Sequence, residues 1–304
     1  MTVEHGVAVV GAGRMGQAHA TAWTRVGVPV RWAVSPRRRP ELRDAADAGW
    51  AASLAEALAD PGVTIVSICT PTPTHAPLAI EALEAGRHVL LEKPIALTTD
   101  DAQRVADAAS RAPGTLMVAH VVRFSPGYAA LAVRVAAGSV GRPRIVRASR
   151  ISDAPVGYDW LEDEERSGGM LVDFAIHDFD QANAHLGRAV AVTSVPLAGD
   201  GFGAPVATTV EYAGGGVAQL LHASDLPPGR PFRSTLEVVG DAAVDSADTA
   251  AGDAFAAQAR YLLDCIERGE EPARAPVSAA VEALRVALAA RASARTGRRV
   301  LLPG

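Results

Sequence analysis

The chain has 304 residues, 49% of them hydrophobic, enough to bury a large core and to divide into two domains. Its 29 lysines and arginines against 34 aspartates and glutamates give a formal net charge of -5. Such a balance offers no general basic field to nucleic acid or an anionic membrane, and leaves a small molecule as the expected partner.

The first third alternates strand-like and helix-like segments. Residues 7–10 form a continuous apolar run suited to a central parallel strand, and 13–26 follow with helical spacing. Residues 30–34 read as the next strand, followed by a polar helix through Ala48. Ser53 and Glu56 form a capping box that opens a short helix. A third buried strand is predicted over 63–69, and a helix over 74–85 with Gly86 as its stop. Strands at 88–91 and 116–119 flank a helix at 99–112. This rhythm predicts an α/β doubly wound parallel sheet over residues 1–121. After Arg123 the texture changes to strands at 144–151, 190–195, 208–212, 217–222 and 234–239, several joined by Gly-rich turns. Helices are expected at 171–186, 254–268 and 278–294. Together these describe a second domain, 122–304, of α+β type on a large, mainly antiparallel open sheet.

Gly11-Ala12-Gly13-Arg14-Met15-Gly16 lies between the first strand and the first helix. In that context Gly11 permits a tight turn, Gly13 admits a pyrophosphate to the amides of the helix start, and Gly16 lets helix and sheet pack closely. An NAD enzyme usually places an acidic residue at the end of the second strand, on the ribose diol. Here the chain reads Ser35-Pro36-Arg37-Arg38-Arg39, with its first carboxylate at Glu41. Ser35, Arg37 and Arg38 suit a 2'-phosphate, so NADP is the preferred cofactor and NAD the second choice. The arginines also fit a solvated turn. Thr70-Pro71-Thr72 leaves the end of the third buried strand, with His75 close behind. It serves either as a lining for the nicotinamide half of the cofactor or only as a turn and helix cap.

Oxidising a secondary alcohol needs a base for the hydroxyl proton. Lys93, after Glu92 and before Pro94 at the end of a strand, is one candidate, and burial or nearby positive charge lets an ammonium relay a proton. Asp173, His177 and Asp180 fall at i, i+4 and i+7 of one predicted helix and so share a face. Polar groups on a buried helix need partners, either each other or a ligand. No fourth ligand with useful spacing favours a metal. Cys69 and Cys265 stand far apart and read as small buried hydrophobes. With no charged-then-apolar leader and no long apolar run, a cytoplasmic protein is expected.

These residues resemble the Gfo/Idh/MocA oxidoreductases, particularly members similar to inositol 2-dehydrogenases. The resemblance rests on the segments 9–16, 82–94, 123–126, 168–180 and 294–300. It implies hydride transfer between a nicotinamide and a hydroxyl or ketone of a sugar or cyclic polyol. It also implies His177 as acid/base, Lys93 and Asp173 as its assistants in catalysis and substrate binding, Glu92 and Arg123 near the cofactor, and association into a dimer or tetramer. Asp153, Tyr158 and Trp160 lie where such proteins contact substrate, although the same residues suit plain loop packing. Two alternatives share the fold: transient oxidation by a tightly held cofactor during elimination or glycoside cleavage, and a non-catalytic dinucleotide sensor. The segment 240–253 is shorter than this resemblance leads one to expect, which implies a missing strand or hairpin at the sheet edge.

Overall fold

The computed structural model describes residues 4–36, 42–154, 159–197, 201–248 and 252–303. It resolves into two compact units, each made of two stretches of chain: Met1–Phe124 with Asp253–Val281, and Ser125–Gly252 with Glu282–Gly304.

In the first unit six strands are joined by helices. They are β1 (Val7–Val10), β2 (Val30–Val34), β3 (Gly49–Ala51), β4 (Ile65–Ile68), β5 (His88–Glu92) and β6 (Leu116–Ala119). All pair in parallel, in the order β3-β2-β1-β4-β5-β6. Every residue of β1, β4 and β6 is buried, as mainly apolar strands require when helices cover both faces of a sheet, Ser67 of β4 being the one polar member. The connecting helices are α1 (Arg14–Arg25), α2 (Leu54–Leu58), α3 (His75–Glu84) and α4 (Thr99–Arg111). The Ser53 side chain caps α2 as expected, while the Glu56 carboxylate also accepts the N–H of Ala52. The helix expected through Ala48 is not formed over residues 42–48, which run in turns. Those turns are fixed from α1: Thr24 Oγ1 donates to Asp44 O at 3.0 Å, and Gln17 Oε1 accepts from the Arg43 amide at 3.0 Å. The very short β3, which follows them, was not foreseen.

The second unit opens with α5 (Pro126–Ala136) and the long β7 (Pro143–Asp153). Four helical pieces follow, α6 (Asp159–Glu162), α7 (Glu164–Ser167), α8 (Gly169–Asp173) and α9 (Ile176–Leu186), and then β8 (Ala189–Pro196), β9 (Val206–Tyr212), β10 (Val217–Leu226), β11 (Arg233–Gly240) and β12 (Val244–Asp248). The chain then forms α10 (Ala254–Arg268), α11 (Val277–Thr296) and β13 (Val300–Leu301). The sheet order is β12-β11-β7-β10-β9-β8-β13, antiparallel except for the β7–β10 pair. Helix α9 packs against β7 and β10. Polar cross-strand pairs such as Ser149–Thr235 (2.7 Å) and the exposed Arg147–Glu237 (3.0 Å) join neighbouring strands of this sheet.

Three further expectations change. The single helix over 171–186 is two, because Phe174 and Ala175 form a turn in which the Ala175 amide reaches back five residues to Met170 O. The short segment after Val239 carries a hairpin, with β12 paired on β11. And α10, read as part of the second domain, belongs to the first unit, where Ala259, Leu262 and Leu263 share a core with Trp23, Val26 and Phe124. Among the described residues no helix is long and apolar enough to cross a membrane.

Candidate active site

The carboxyl ends of the parallel strands gather the cofactor candidates of the first unit. The order of the sheet reverses between β1 and β4, where ligands of such sheets are received. Gly11 follows β1 with φ +94°, its amide bonded to Val34 O at 2.8 Å, and a Cβ there would stand 2.8 Å from Cys69 O. Only glycine satisfies both the backbone angle and this approach. Gly16 is held more tightly still, since a Cβ would meet Gly11 O at 1.8 Å. Gly13, the N-cap of α1, is different: a Cβ there meets nothing within 4 Å. No side chain caps α1 and no acid occupies its first turn, so its leading amides and positive dipole end suit an anion. The cradle therefore fits a dinucleotide pyrophosphate. Arg14 is exposed, and Ala12 and Met15 are half-buried.

Ser35 follows β2 directly, buried, with its amide on Ala51 O at 3.0 Å. Arg37 and Arg38 lie outside the described residues, as does Tyr158. Thr70 and Thr74 are joined by their hydroxyls at 2.7 Å, Pro71 is exposed and Thr72 is buried. The Thr74 side chain does not cap α3. His75 is buried, with Nδ1 2.7 Å from Pro94 O and Nε2 2.9 Å from Thr70 O. Its ring is thus engaged with backbone rather than open to a ligand. Arg123 donates to Arg274 O at 2.8 Å.

Lys93 follows β5 and is half-buried. It is the only lysine among the 29 basic residues of the chain, a signal that a plain count would have given. Glu92 is buried beside it. One of its carboxylate oxygens lies 2.9 Å from His19 Nε2, and the other accepts the Lys93 amide at 3.0 Å.

In the second unit His177 stands half-exposed as the second residue of α9, between the fully buried Ile176 and Asp178. Asp173, also half-exposed, ends α8, so the turn at 174–175 separates it from His177 and the two do not share one helix face. Asp180 is buried further along α9. Asp178, passed over in the sequence, anchors this corner. Its carboxylate accepts from Arg150 Nε (3.0 Å) and Nη2 (2.8 Å) and contacts His222 Nε2 at 3.0 Å, all three residues being buried. Burial opposes its charge, but Arg150 and His222 hold the carboxyl below its usual range. The signal for Arg150 lay in β7, where it continues the inward series Val146, Ala148. Asp153 ends β7 and accepts the Gly229 amide at 3.1 Å, while Trp160 is half-buried in α6. Among the described residues no cluster of side chains has the makings of a metal site.

Residues 5–120 match the sequence profile of an oxidoreductase family with an NAD-binding Rossmann fold, and residues 128–244 match the GFO/IDH/MocA C-terminal domain. The chain belongs to the Gfo/Idh/MocA family. Among other members, it is 30% identical over 188 residues to myo-inositol 2-dehydrogenase of Thermotoga maritima, a match covering 60% of this chain and 55% of the relative. With scyllo-inositol 2-dehydrogenase (NAD(+)) of Bacillus subtilis it shares 27% identity over 99% of this chain and 97% of the relative. The crystal structure of GenD2 from gentamicin A biosynthesis, in complex with NAD, superposes with a TM-score of 0.86 at 27% identity, covering 100% and 98% of the two chains. The family supplies what the glycine motif alone lacked: an independent match in each of the two units.

Proposed function

We propose that this chain is a dehydrogenase that interconverts a secondary hydroxyl and the corresponding ketone of a sugar or inositol-like polyol, with NADP preferred over NAD. The observation that carries this reading is Lys93. In a chain that otherwise uses arginine for every basic position, the single lysine stands at the carboxyl end of β5, in the unit that carries the glycine cradle. A guanidinium cannot release its proton in a protein, whereas an amine can, so a site that must hold and relay a proton has use for lysine alone.

In this reading Gly11, Gly13 and the first amides of α1 hold the pyrophosphate, and Ser35 with Arg37 and Arg38 take a ribose 2'-phosphate. No carboxylate ends β2, which favours NADP, although the names of the relatives cite NAD. When bound, the nicotinamide supplies the hydride acceptor or donor. His177 takes the hydroxyl proton during oxidation and returns it during reduction. Asp173 stabilises the charged imidazole. The Lys93 ammonium stabilises the negative charge that develops on the oxygen as its proton leaves and shares its own proton with that oxygen, which a guanidinium could not do. The inositol dehydrogenases among the relatives support a polyol substrate.

The test is a screen of myo-inositol, scyllo-inositol, levoglucosan and common aldoses with NADP and NAD, following absorbance of the reduced nicotinamide. Lys93→Arg and His177→Ala should each lower turnover by about 10²-fold or more with cofactor affinity nearly intact. Full turnover in both variants would refute the assignment.

A further inference from the structure

Lys93 sits in a tripeptide whose outer members are each tied to a buried histidine from a different helix. On one side, Glu92 meets His19 of α1 at 2.9 Å, and the other ring nitrogen of His19 is 2.8 Å from Ser67 Oγ on β4. The second oxygen of the same carboxylate accepts the backbone N–H of Lys93 itself. On the other side, Pro94 O is bonded to His75 Nδ1 at the start of α3, and the far nitrogen of that ring meets Thr70 O. His19 and His75 are each 1% exposed and Glu92 is 5% exposed.

Buried polar groups of this kind are costly compared with apolar packing, so what they contribute is direction. Burial opposes a charge on His19, but Cys69 and Glu92 beside it prevail and push its pKa up to about 10. Glu92 is held below the usual carboxylate range despite its burial, chiefly by the hydrogen bond and charge of His19. The pair is therefore ionised at neutral pH, and an ionised carboxylate has the lone pairs to hold both His19 and the Lys93 amide. Burial pushes His75 below the ordinary imidazole value, so the neutral ring has one N–H, which the shorter contact gives to Pro94 O, and Nε2 stands beside Thr70 O without donating to it.

These five contacts reach other segments of the same unit. His19 lies on α1, whose first turn follows the glycine cradle, and Thr70 begins the Thr70-Pro71-Thr72 turn. We propose that His19 and His75 are positioning residues for Lys93: acting through Glu92 and Pro94, they fix the backbone that aims the lysine amine, and His19 ties that aim to the cradle. The catalytic part of this inference rests on the dehydrogenase reading above; the positioning part does not.

The single lysine makes a direct test available. Reductive methylation with ¹³C-formaldehyde labels only the Lys93 amine and the chain's α-amine, so the Lys93 dimethylamine signal can be followed alone and assigned with Lys93→Arg. The probes are the wild type, His19→Leu, His75→Ala and the conservative His75→Asn, whose amide can still donate to Pro94 O. Ser67→Ala is added as a mild variant that removes one neutral hydroxyl and loosens the His19 ring with the ion pair intact. Turnover of myo-inositol with NADP is measured on unlabelled samples. His19→Leu and His75→Ala should shift or broaden the Lys93 signal and lower kcat by roughly tenfold or more, with KM changed less than about threefold. His75→Asn should recover most of the loss, and Ser67→Ala should move the signal in the same direction by less. If the two stronger variants fail to fold, Ser67→Ala decides. A Lys93 signal unchanged in the folded variants overturns the proposal. If the wild type oxidises no polyol, the dehydrogenase reading falls, while the lysine signal still tests the positioning.

Discussion

Replacing Asp178 by asparagine removes a charge from the second unit and leaves the volume unchanged. The wild-type carboxylate is 0% exposed and takes three contacts, two from an Arg150 whose side chain is 4% exposed and one from His222. Asparagine keeps one acceptor oxygen and turns an NH₂ group toward the remaining donors, leaving the guanidinium buried without a counter-charge. Breaking a buried pair in this way costs about 3–5 kcal/mol, against about 0–1 for an exposed pair. Arg268–Glu270, more than half exposed on both sides, is the natural control. Because the two units need not unfold together, the assay is hydrogen exchange resolved to peptides of α9 and β10, with thermal unfolding as a second readout. Asp178→Asn should lower protection there by about 3 kcal/mol or more, and Glu270→Gln should lower protection of the α10 peptides of its own unit by less than about 0.5. Arg150→Met and His222→Phe combined with Asp178→Leu should restore much of the loss, since an apolar cluster of similar size carries no desolvation cost and leaves no ring N–H unpaired. A loss below about 1 kcal/mol in the single variant would refute the view that this carboxylate offsets a buried cation.

The glycine cradle gives a contrast between neighbours. Gly13→Ala should leave the melting temperature nearly unchanged and weaken NADPH binding measured by fluorescence, because its Cβ enters only open space, whereas Gly16→Ala should destabilise the fold itself against Gly11 O. Arg37→Ala with Arg38→Ala should weaken NADPH far more than NADH; equal losses would remove the argument for NADP. The His19 ionisation predicts an alkaline limb. A pKa raised from 6.5 to about 10 means the contribution is complete below pH 6.5 and declines as pH rises toward 10, by up to about 1.4 kcal/mol per pH unit. His19→Gln should flatten that limb in urea titrations run at several pH values.

Much of this was legible in the chain. The apolar runs of β1 and β6, and the glycines between β1 and α1, specify the parallel sheet because local spacing and backbone freedom agree there. What escaped was set by distant contacts. Residues 42–48 lie in turns because Gln17 and Thr24 of α1 bind their backbone. Strand β12 carries Asp245 at a sheet edge, where Arg134 pairs with it, and so has no hydrophobic signature. The i, i+4 spacing of Asp173 and His177 could not reveal the wide turn between them. Among the site residues, Glu92 was read as a contact for the cofactor, and its partner His19 was invisible until α1 and β5 were seen side by side.

Helix α10 has a consequence for synthesis. Trp23 and Val26 are made early, but the side chains that cover them, Ala259, Leu262 and Leu263, leave the ribosome more than two hundred residues later. Until then the nascent nucleotide-type sheet carries an unsealed apolar flank, and the whole intervening sheet unit must be translated before it closes. Such a long wait makes the emerging amino-terminal half a natural client for chaperones that mask bare hydrophobic surface.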